Sequence, residues 1–141
     1  MTPCPCRVGT PALLPYEECC GRLHQGHATG LRAPTAEALM RSRYSAYALA
    51  QTNNAPGRAL LAYLHATWHP MTDPDDLEIS PTQWTGLVIA NEQEAGEVAV
   101  VEFIAHYKAN GVACKMYETS RFVRDGDKGW LYIDGEVSAT G

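Results

Sequence analysis

The 141-residue sequence lacks several features that would point directly to a function. No apolar run approaches the ~20 residues that a membrane-spanning helix needs. The N-terminus has neither the basic nor the apolar region of a signal peptide. No internal repeat or low-complexity tract is present, which argues against solenoid architectures. We therefore expect a cytoplasmic protein whose length supports one hydrophobic core without an obligatory disulfide or metal.

Positive charge is scarce and unevenly placed. Lys and Arg total 11 against 16 Asp and Glu, so the net charge is −5. Residues 1–58 carry six Arg and three Glu, whereas residues 59–141 carry five basic and thirteen acidic residues. The acidic second part is a poor general binder of nucleic acid, so no specific nucleic-acid partner is expected. The first part can meet an acidic partner, although an unevenly charged surface accounts for the same numbers.

Two helices are predicted in the first half of the chain. Residues 1–33 are rich in Gly, Pro, Cys and His without periodicity, and they indicate a loop-built unit rather than a helix or strand. In "RAPTAEALMRSRYSAYALAQ", Thr35 is a good N-cap and Glu37 lies in the first turn. The apolar face of this helix comprises Ala36, Leu39, Met40, Tyr47 and Ala50. "GRALLAYLHATWHP" predicts a second helix that Pro70 ends.

The remainder of the chain has the pattern of β-strands. The predicted strands are "LEIS", "WTGLVIA", "EVAVVEFIAHYKA", "VACKMYETSRFVR" and "GWLYI". Asn110–Gly111 favours a two-residue type I′ turn between the two longest strands. Two helices followed by antiparallel strands predict an α+β fold, with a curved antiparallel sheet packed on the N-terminal helices.

Four of the five cysteines lie in two pairs near the N-terminus, Cys4 with Cys6 and Cys19 with Cys20. Four thiolates suit a closed tetrahedral zinc site, and Gly21 permits the sharp turn that two adjacent ligands need. His24 and His27 are alternative ligands. A vicinal disulfide or a redox pair is the competing interpretation, which a reducing compartment disfavours.

Longer motifs resemble a known family. Cys-Pro-Cys, a spacer and Cys-Cys-Gly resemble the SEC-C motif, a small zinc knuckle. "APTAEALMRSRYSAYAL", "TWHP", "WTGLVI", "VEFIAHYKANG" and "SRFVRDGDKGWLYIDG" resemble the YchJ-like family of uncharacterised bacterial proteins. The resemblance implies a SEC-C zinc knuckle at 1–33 and a cystatin-like, nuclear-transport-factor-2-like (NTF2-like) domain at 34–141. It also implies a structural zinc ion held by Cys4, Cys6, Cys19 and Cys20, a protein partner for the knuckle, and a homodimer through the outer face of the sheet.

One stretch departs from the SEC-C pattern. The motif usually continues from its second cysteine as Gly-Ser-Gly-Lys, but this chain has Arg7-Val8-Gly9-Thr10 within a longer spacer, residues 7–18. The longer loop is compatible with coordination by four cysteines. Because it is less basic, it weakens any partner-binding role inherited from the family's Lys-rich loop.

The two-residue turn predicts which residues of the long hairpin share a face. It pairs Tyr107 with Cys114, Ala105 with Met116, and Phe103 with Glu118. Glu118 and Ser120 then lie on an otherwise apolar face, whereas Glu102, His106, Lys115, Thr119 and Arg121 face solvent. Because a one-residue slip would exchange these sets, the prediction depends on the turn.

Arg43 lies in the middle of the apolar arc of the first helix, where an unpaired charge is costly. We predict a buried ion pair between Arg43 and Glu118. The pair either fixes how helix and sheet dock or lines a cavity that recognises a polar or anionic ligand. Ser120, Trp68 and Trp84 are the further residues predicted to line this cavity.

His69, in "TWHP", is a candidate general acid or base if it lies beside the cavity. The alternative is that it caps the C-terminus of the second helix, where free carbonyls face a ring N–H. Cys114 is predicted to be a packed residue rather than a nucleophile, because no basic group shares its face.

Two functions from different classes remain. The first is a non-enzymatic binding or adaptor protein, in which the knuckle presents a rigid surface and the body holds a small molecule or a protein. The second is a small enzyme that performs proton transfer of the isomerase or dehydratase type. In that case His69 or Glu118 acts as the base, and Tyr44 or Arg43 stabilises developing negative charge. We favour the binding protein, because an arginine beside Glu118 would lower the pKa of that carboxyl and weaken it as a base.

Overall fold

The computed structural model describes residues 3–7, 14–51, 54–75, 77, 79 and 82–140. Within these ranges three α-helices precede a four-stranded antiparallel sheet of order β1-β2-β3-β4, which confirms the predicted α+β class. Their bounds are α1 Cys20–Gly26, α2 Ala36–Leu49, α3 Ala55–Ala66, β1 Gln83–Ala95, β2 Val98–Ala109, β3 Val112–Asp125 and β4 Gly129–Thr140. None of the helices in these ranges combines the length and the hydropathy needed to cross a bilayer.

Capping side chains set where α2 and α3 begin. Thr35 Oγ1 accepts a hydrogen bond from Ala38 N at 3.0 Å, as predicted for α2. Asn54 Oδ1 accepts from Gly57 N at 2.8 Å, so α3 begins two residues earlier than the sequence pattern indicates. α3 also ends earlier than predicted, because Thr67 Oγ1 donates to the carbonyl of Tyr63 at 2.9 Å and closes the last turn.

The segment before the sheet does not form the predicted first strand. Leu77 and Ile79 lie outside any strand, and residues 78 and 80 lie outside the described residues. Both described side chains instead pack against the cluster that joins α2 to α3. Burial against the helices, rather than pairing with the sheet, therefore places the apolar residues of "LEIS".

The long hairpin has the predicted register. Tyr107 pairs with Cys114 and Phe103 with Glu118. Asn110 and Gly111 both have positive φ, 54° and 78°, as a type I′ turn requires. Val101, Ala105, Ser120 and Phe122 are buried on the inner face, whereas Glu102, Lys115 and Arg121 are exposed on the outer one.

The N-terminal segment contains a helix that the sequence pattern did not predict. α1 has seven residues, too few to show a helical period. Tertiary contacts hold it: Cys20, Gly21 and Leu23 are buried, and the side chain of His24 bonds to α2. A helix this short is marginal by itself, so packing against α2 accounts for it.

The N-terminal segment and the body share one hydrophobic core. A single buried cluster includes Cys4, Cys6 and Cys20 together with side chains of α2 and of strands β1 to β4. Cys4 Sγ lies 3.4 Å from Ser45 Oγ on α2. Arg41, also on α2, donates from Nη1 to the carbonyl of Cys6 at 3.1 Å. The cysteine segment is therefore continuous with the interior that lies above the sheet.

The hairpin turn gives a direct stability test. We expect Gly111→Ala to lower the free energy of unfolding by about 1 kcal/mol, because an L side chain at φ +78° is strained. Gly111→Asn should cost clearly less, since asparagine tolerates the left-handed region. Urea unfolding measures both values. Equal losses for the two variants would contradict the role of positive φ at this position.

Candidate functional site

The first candidate site is the cluster of four cysteine sulfurs. Cys6 Sγ lies 3.7 Å from Cys4 Sγ, 3.6 Å from Cys19 Sγ and 3.6 Å from Cys20 Sγ. Cys19 Sγ and Cys20 Sγ are 4.0 Å apart. All four sulfurs lie within 4.8 Å of one another, and the group can hold one metal ion.

These separations fit tetrahedral coordination. Four sulfurs at the usual Zn–S distance of ~2.3 Å lie about 3.8 Å apart along each tetrahedral edge. A disulfide would bring two sulfurs to ~2.05 Å, whereas Cys19 and Cys20 are 4.0 Å apart and all five cysteines are free thiols. The vicinal disulfide considered from the sequence is therefore not formed in this structure.

The backbone brings the two cysteine pairs together by two tight turns. A 3₁₀ turn over Pro5–Arg7 places Cys4 and Cys6 on one side, and Cys4 N donates to the carbonyl of Leu14 at 2.8 Å. The second bend occurs at Cys19, with φ −119° and ψ −113°, rather than at Gly21 as predicted. Gly21 lies inside α1, where a Cβ atom would come within 2.6 Å of the Tyr16 carbonyl. Its role is to allow close packing against Tyr16.

The alternative histidine ligands lie outside the cluster. His24 Nε2 donates to the carbonyl of Ser42 at 2.7 Å, and its Nδ1 lies 2.6 Å from the hydroxyl of Tyr16. Burial lowers the pKa of His24, which keeps the ring neutral in this position. His27 contacts Arg32 and the ring of Tyr63 instead. The cysteines are thus the four groups that converge.

The four thiols of the cluster hold their protons unequally, because the pKa is lowered at Cys4 and Cys19 and raised at Cys6 and Cys20. Hydrogen bonds from neighbouring thiols, Cys20 first, lower the pKa of Cys4 and bring that of Cys19 to about 6. Hydrogen bonding with Cys19 and the other neighbours raises the pKa of Cys20. Because a metal ion binds thiolates, it would displace the protons that remain on such a cluster.

The second candidate site is an interior pocket of about 250 Å³ between α2 and the inner face of the sheet. Its walls are largely apolar and aromatic, and its polar groups come from α2, β3 and β4. The lining residues are Met40, Arg43, Tyr44, Tyr47, Trp84, Phe103, Ala105, Met116, Glu118, Ser120, Phe122 and Tyr132. The predicted Glu118 and Ser120 thus lie in one cavity with Arg43, Tyr44 and Trp84.

The prediction that Arg43 and Glu118 form an ion pair is wrong, because Arg43 contacts other groups. Arg43 is 5% exposed, and its Nη1 donates to the carbonyl of Leu64 and to Thr67 Oγ1, both at 2.8 Å. Its guanidinium carbon lies 4.7 Å from the ring centres of both Trp68 and Tyr132. The guanidinium of Arg43 is therefore contacted by a carbonyl, a hydroxyl and two aromatic rings rather than by the predicted carboxylate.

Glu118 has partners of its own within the sheet. Its Oε2 accepts hydrogen bonds from Ser120 Oγ and, at 3.4 Å, from the hydroxyl of Tyr132. Burial raises the pKa of the Glu118 carboxyl, against the lowering effect of Ser120, Tyr132 and Arg43. The expected reduction of this pKa by Arg43 is thus outweighed by desolvation.

The remaining predicted residues separate into two groups. Tyr44, whose hydroxyl donates to the carbonyl of Gly86 at 3.1 Å, lines the pocket together with Trp84. Trp68 lies behind Arg43 and outside the pocket lining.

His69 does not line the pocket either, nor does its ring cap α3. Its Nδ1 accepts from Met71 N at 3.2 Å, and its backbone N donates to the Tyr132 carbonyl at 2.8 Å. Thr67, rather than His69, closes the end of α3.

Sequence reasoning missed two histidine contacts. His65 Nδ1 lies 2.7 Å from Asp73 Oδ1, across the end of α3. His24 joins Tyr16 of the cysteine segment to Ser42 of α2. No spacing rule detects either contact, because each depends on where a helix ends or on how two helices pack.

Comparison with known proteins shows the family. A family model described as YchJ, middle NTF2-like domain, matches residues 35–135. A UPF0225 protein of Cupriavidus metallidurans is 43% identical over 142 residues, which cover 96% of this chain and 89% of that protein. A UPF0225 protein of Methylibium petroleiphilum is 45% identical over 138 residues, which cover 96% of this chain and 90% of that protein.

Two solved structures are similar over nearly the whole chain. A SEC-C motif containing protein from Psychrobacter arcticus has a TM-score of 0.77 at 30% identity, with 100% of this chain and 85% of that chain covered. A SEC-C motif containing protein from Rhodopseudomonas palustris has a TM-score of 0.73 at 29% identity, with 96% and 98% covered. The four-stranded sheet on helices and the cysteine cluster agree with these matches. The chain therefore belongs to the YchJ-like UPF0225 family, with an NTF2-like fold and an N-terminal cysteine cluster of the SEC-C type.

Proposed function

We propose that this protein is a zinc-stabilised, non-enzymatic binding module whose interior pocket holds a small, mostly apolar ligand. The observation that carries the proposal is the pocket of about 250 Å³, in which aromatic walls surround Arg43, Glu118 and Ser120. Ligand sites combine apolar walls with a few convergent polar groups in this way, usually in volumes of ~300–1,000 Å³. A pocket just below that range suits a single ring or a short alkyl chain.

Zinc in the cysteine cluster would be structural. Four thiolates fill a tetrahedral site and leave no open position for a water or a substrate. Sulfur-only tetrahedral sites select zinc or iron among the common metals, and zinc requires no redox partner. Cys4, Cys6 and Cys20 also belong to the main core, so the metal would fix residues 3–7 and 14–33 against α2 and the sheet.

The polar groups of the pocket indicate the ligand's head group. Of the hydrogen bonds between described residues that reach the Glu118 carboxyl, both use Oε2. Oε1 remains available to a ligand group in the cavity. A neutral hydroxyl suits this position, because it can donate to a carboxylate or accept from a protonated carboxyl.

A proton-transfer enzyme is the second candidate, and the raised pKa of Glu118 favours it. Glu118 would act as the base, with Tyr44 or Arg43 beside the developing charge. The binding module is preferred because His69 lies outside the pocket lining. In addition, Arg43 Nη1 donates to Leu64 and Thr67, which leaves fewer donors of this side chain for a developing negative charge in the cavity.

The proposal extends to cellular context. We assign the protein to the cytoplasm, where thiols stay reduced and can hold zinc. The segment 1–33 would form a unit that presents a protein-binding surface, and the body at 34–141 would hold the ligand. The outer face of the sheet exposes Val88, Val98 and Tyr117, which suits a homodimer contact.

The metal proposal predicts one zinc ion per chain in protein purified under reducing conditions. Cys4→Ser and Cys20→Ser should each lose the zinc, measured by elemental analysis. Cys114→Ser is the matched control, because Cys114 is also buried but lies on β3 outside the cluster. Removal of zinc should lower the free energy of unfolding by more than about 2 kcal/mol when free zinc had exceeded its Kd a hundredfold. Stoichiometric iron, or full zinc in Cys20→Ser, would contradict the proposal.

The pocket proposal predicts saturable binding of 4-methylphenol, whose ring and hydroxyl match the aromatic walls and Glu118. Amide chemical shifts should change at residues that line the pocket. Ala105→Val narrows the cavity from its floor and should weaken binding at least about threefold, because added methyl groups occupy ligand space. Ala113→Val, on exposed β3 backbone, is the matched control and should bind normally. Shifts spread over the outer face, or equal affinity in both variants, would refute the pocket.

The raised pKa of Glu118 predicts a pH dependence of stability. In the unfolded chain this carboxyl ionises near ~4.3. In the folded protein the pKa of Glu118 is higher, so the protonated carboxyl makes its full contribution to the free energy of unfolding at a pH below the unfolded-state pKa. This contribution is lost as the pH rises through the folded-state pKa. Glu118→Gln removes this titration. Its stability relative to the unsubstituted protein should therefore increase between pH 4 and pH 8, measured by urea unfolding. A difference that stays constant or declines over this range would contradict burial as the dominant effect.

A further inference from the structure

A surface cleft outside the pocket and the cysteine cluster is lined by two positively charged side chains, Arg32 and Lys128. It has a volume of about 360 Å³, and three separate segments of the chain form it. The segment before α2 supplies His27 and Arg32, the end of α3 and the loop after it supply His65, Trp68 and Asp73, and the turn before β4 supplies Lys128. None of the functions considered above uses this cleft.

Arg32 is held firmly but lacks an acidic partner. Its Nη1 donates to the carbonyls of His27 and Leu31 at 3.0 and 3.1 Å. Its aliphatic stem packs over Gly129, where a Cβ atom would come within 3.1 Å of Arg32 Cβ. Within the described part of the chain, the ion pairs involve neither Arg32 nor Lys128. Carbonyl oxygens position the guanidinium without neutralising it.

Among the described residues, Asp73 supplies the one carboxylate that lines the cleft, and one of its oxygens is already engaged. Asp73 Oδ1 accepts from His65 Nδ1 at 2.7 Å. Asp127 is next to Lys128 in the chain but is not a lining residue. In a protein with a net charge of −5, a cleft with two unneutralised cations opposes the overall charge. Such a site attracts an anion against the field of the whole molecule.

The hydrogen-bonding groups around the cleft are mostly donors. Arg32 Nη1 approaches His27 Nδ1 at 3.4 Å, and since arginine only donates, His27 Nδ1 is the acceptor and its Nε2 carries the proton. Burial and the charge of Arg32 lower the pKa of His27, which keeps that ring neutral. Arg32 Nε and Trp68 Nε1 are buried without a hydrogen-bond partner among the described residues. Apart from Asp73 and His65, the polar side chains of the described cleft residues therefore present mainly donors.

His65 adds one group that works in both directions. Its Nδ1 donates to Asp73, so a neutral ring leaves a lone pair on Nε2, and a protonated ring leaves a donor there. A ligand oxygen that can either donate or accept a hydrogen bond therefore matches Nε2. Phosphate offers such oxygens, because its second proton has a pKa of about 6. A carboxylate or a sulfate has no proton to share at that pH.

We propose that this cleft binds a phosphate group with a free hydroxyl, either inorganic phosphate or the phosphomonoester end of a small molecule. Arg32 and Lys128 contact the charged oxygens, His27 donates from Nε2, and His65 meets the remaining oxygen. The site is independent of the interior pocket: Trp68 and Arg43, whose guanidinium carbon lies 4.7 Å from the Trp68 ring centre, separate the two. Either site can therefore be correct without the other.

The test uses the full-length, zinc-supplemented protein and follows amide chemical shifts during titration with sodium phosphate at constant ionic strength. We expect saturation with a Kd of about 1 mM or below, and shifts at residues around the cleft. Lys128→Gln should raise the Kd about fivefold and Arg32→Gln about tenfold, because each removes a charge-assisted contact. Lys115→Gln makes the same charge change on the outer face of β3 and should alter the Kd less than twofold. Because Arg32 packs against Gly129, the Lys128 variant serves as the test if Arg32→Gln does not fold.

Three further titrations test the chemistry and the source of the phosphate. Acetate should give no saturation. Dimethyl phosphate, which has no proton to share, should bind at least about tenfold more weakly than phosphate. If phenyl phosphate binds as tightly as phosphate, the ligand is a phosphomonoester. If phenyl phosphate does not bind, the ligand is inorganic phosphate. Non-saturating shifts with phosphate, equal affinity for the diester, or equal Kd values in Lys128→Gln and Lys115→Gln would overturn the proposal.

Discussion

The interior of this protein depends on one buried guanidinium. Arg43 projects from α2 between the rings of Trp68 and Tyr132, and it donates to Leu64 and Thr67 at the end of α3. A buried charge is costly unless its donors are paired. Here one carbonyl oxygen, one hydroxyl oxygen and two aromatic faces supply the pairing. The contact therefore fixes α2, the end of α3 and β4 relative to one another. Backbone bonds reinforce it, because Tyr132 N donates to the Thr67 carbonyl at 2.9 Å.

The cysteine cluster imposes the second constraint on the same core. The seven residues of α1 are too few to form a stable helix alone, so the packing of its buried residues holds it. A metal ion that joins Cys4, Cys6, Cys19 and Cys20 would close this segment over α2. His24 then ties it to the backbone of Ser42, whose Oγ in turn lies 2.7 Å from the hydroxyl of Tyr63 on α3. Coordination and packing would thus act on the same helix pair.

Local chemistry determined which sequence predictions were correct. The cap at Thr35 and the turn at Asn110–Gly111 depend on a few adjacent residues, so the start of α2 and the register of the hairpin were predictable. The inward position of Glu118 followed from that register. The Arg43–Glu118 contact was wrong, because charge complementarity alone could not anticipate that carbonyls and rings would reach the guanidinium first. The His65–Asp73 contact was missed, since it exists only because α3 ends at Ala66 and the chain turns back.

The open pocket follows from how its large side chains are anchored. Tyr44 is held at its hydroxyl by the Gly86 carbonyl, Tyr132 packs edge-on against Phe122 and Trp68, and Arg43 is fixed by α3. Groups held at their far ends cannot rotate inward to fill the space between them. Two small residues leave room beside these groups: Ala105 lines the cavity, and Gly135 passes so close to Glu118 that a Cβ atom would lie 2.6 Å from Oε2. Such a cavity between anchored side chains persists without a ligand, because collapse would break hydrogen bonds that are already formed. That persistence is the physical basis for regarding the pocket as a binding site rather than as imperfect packing.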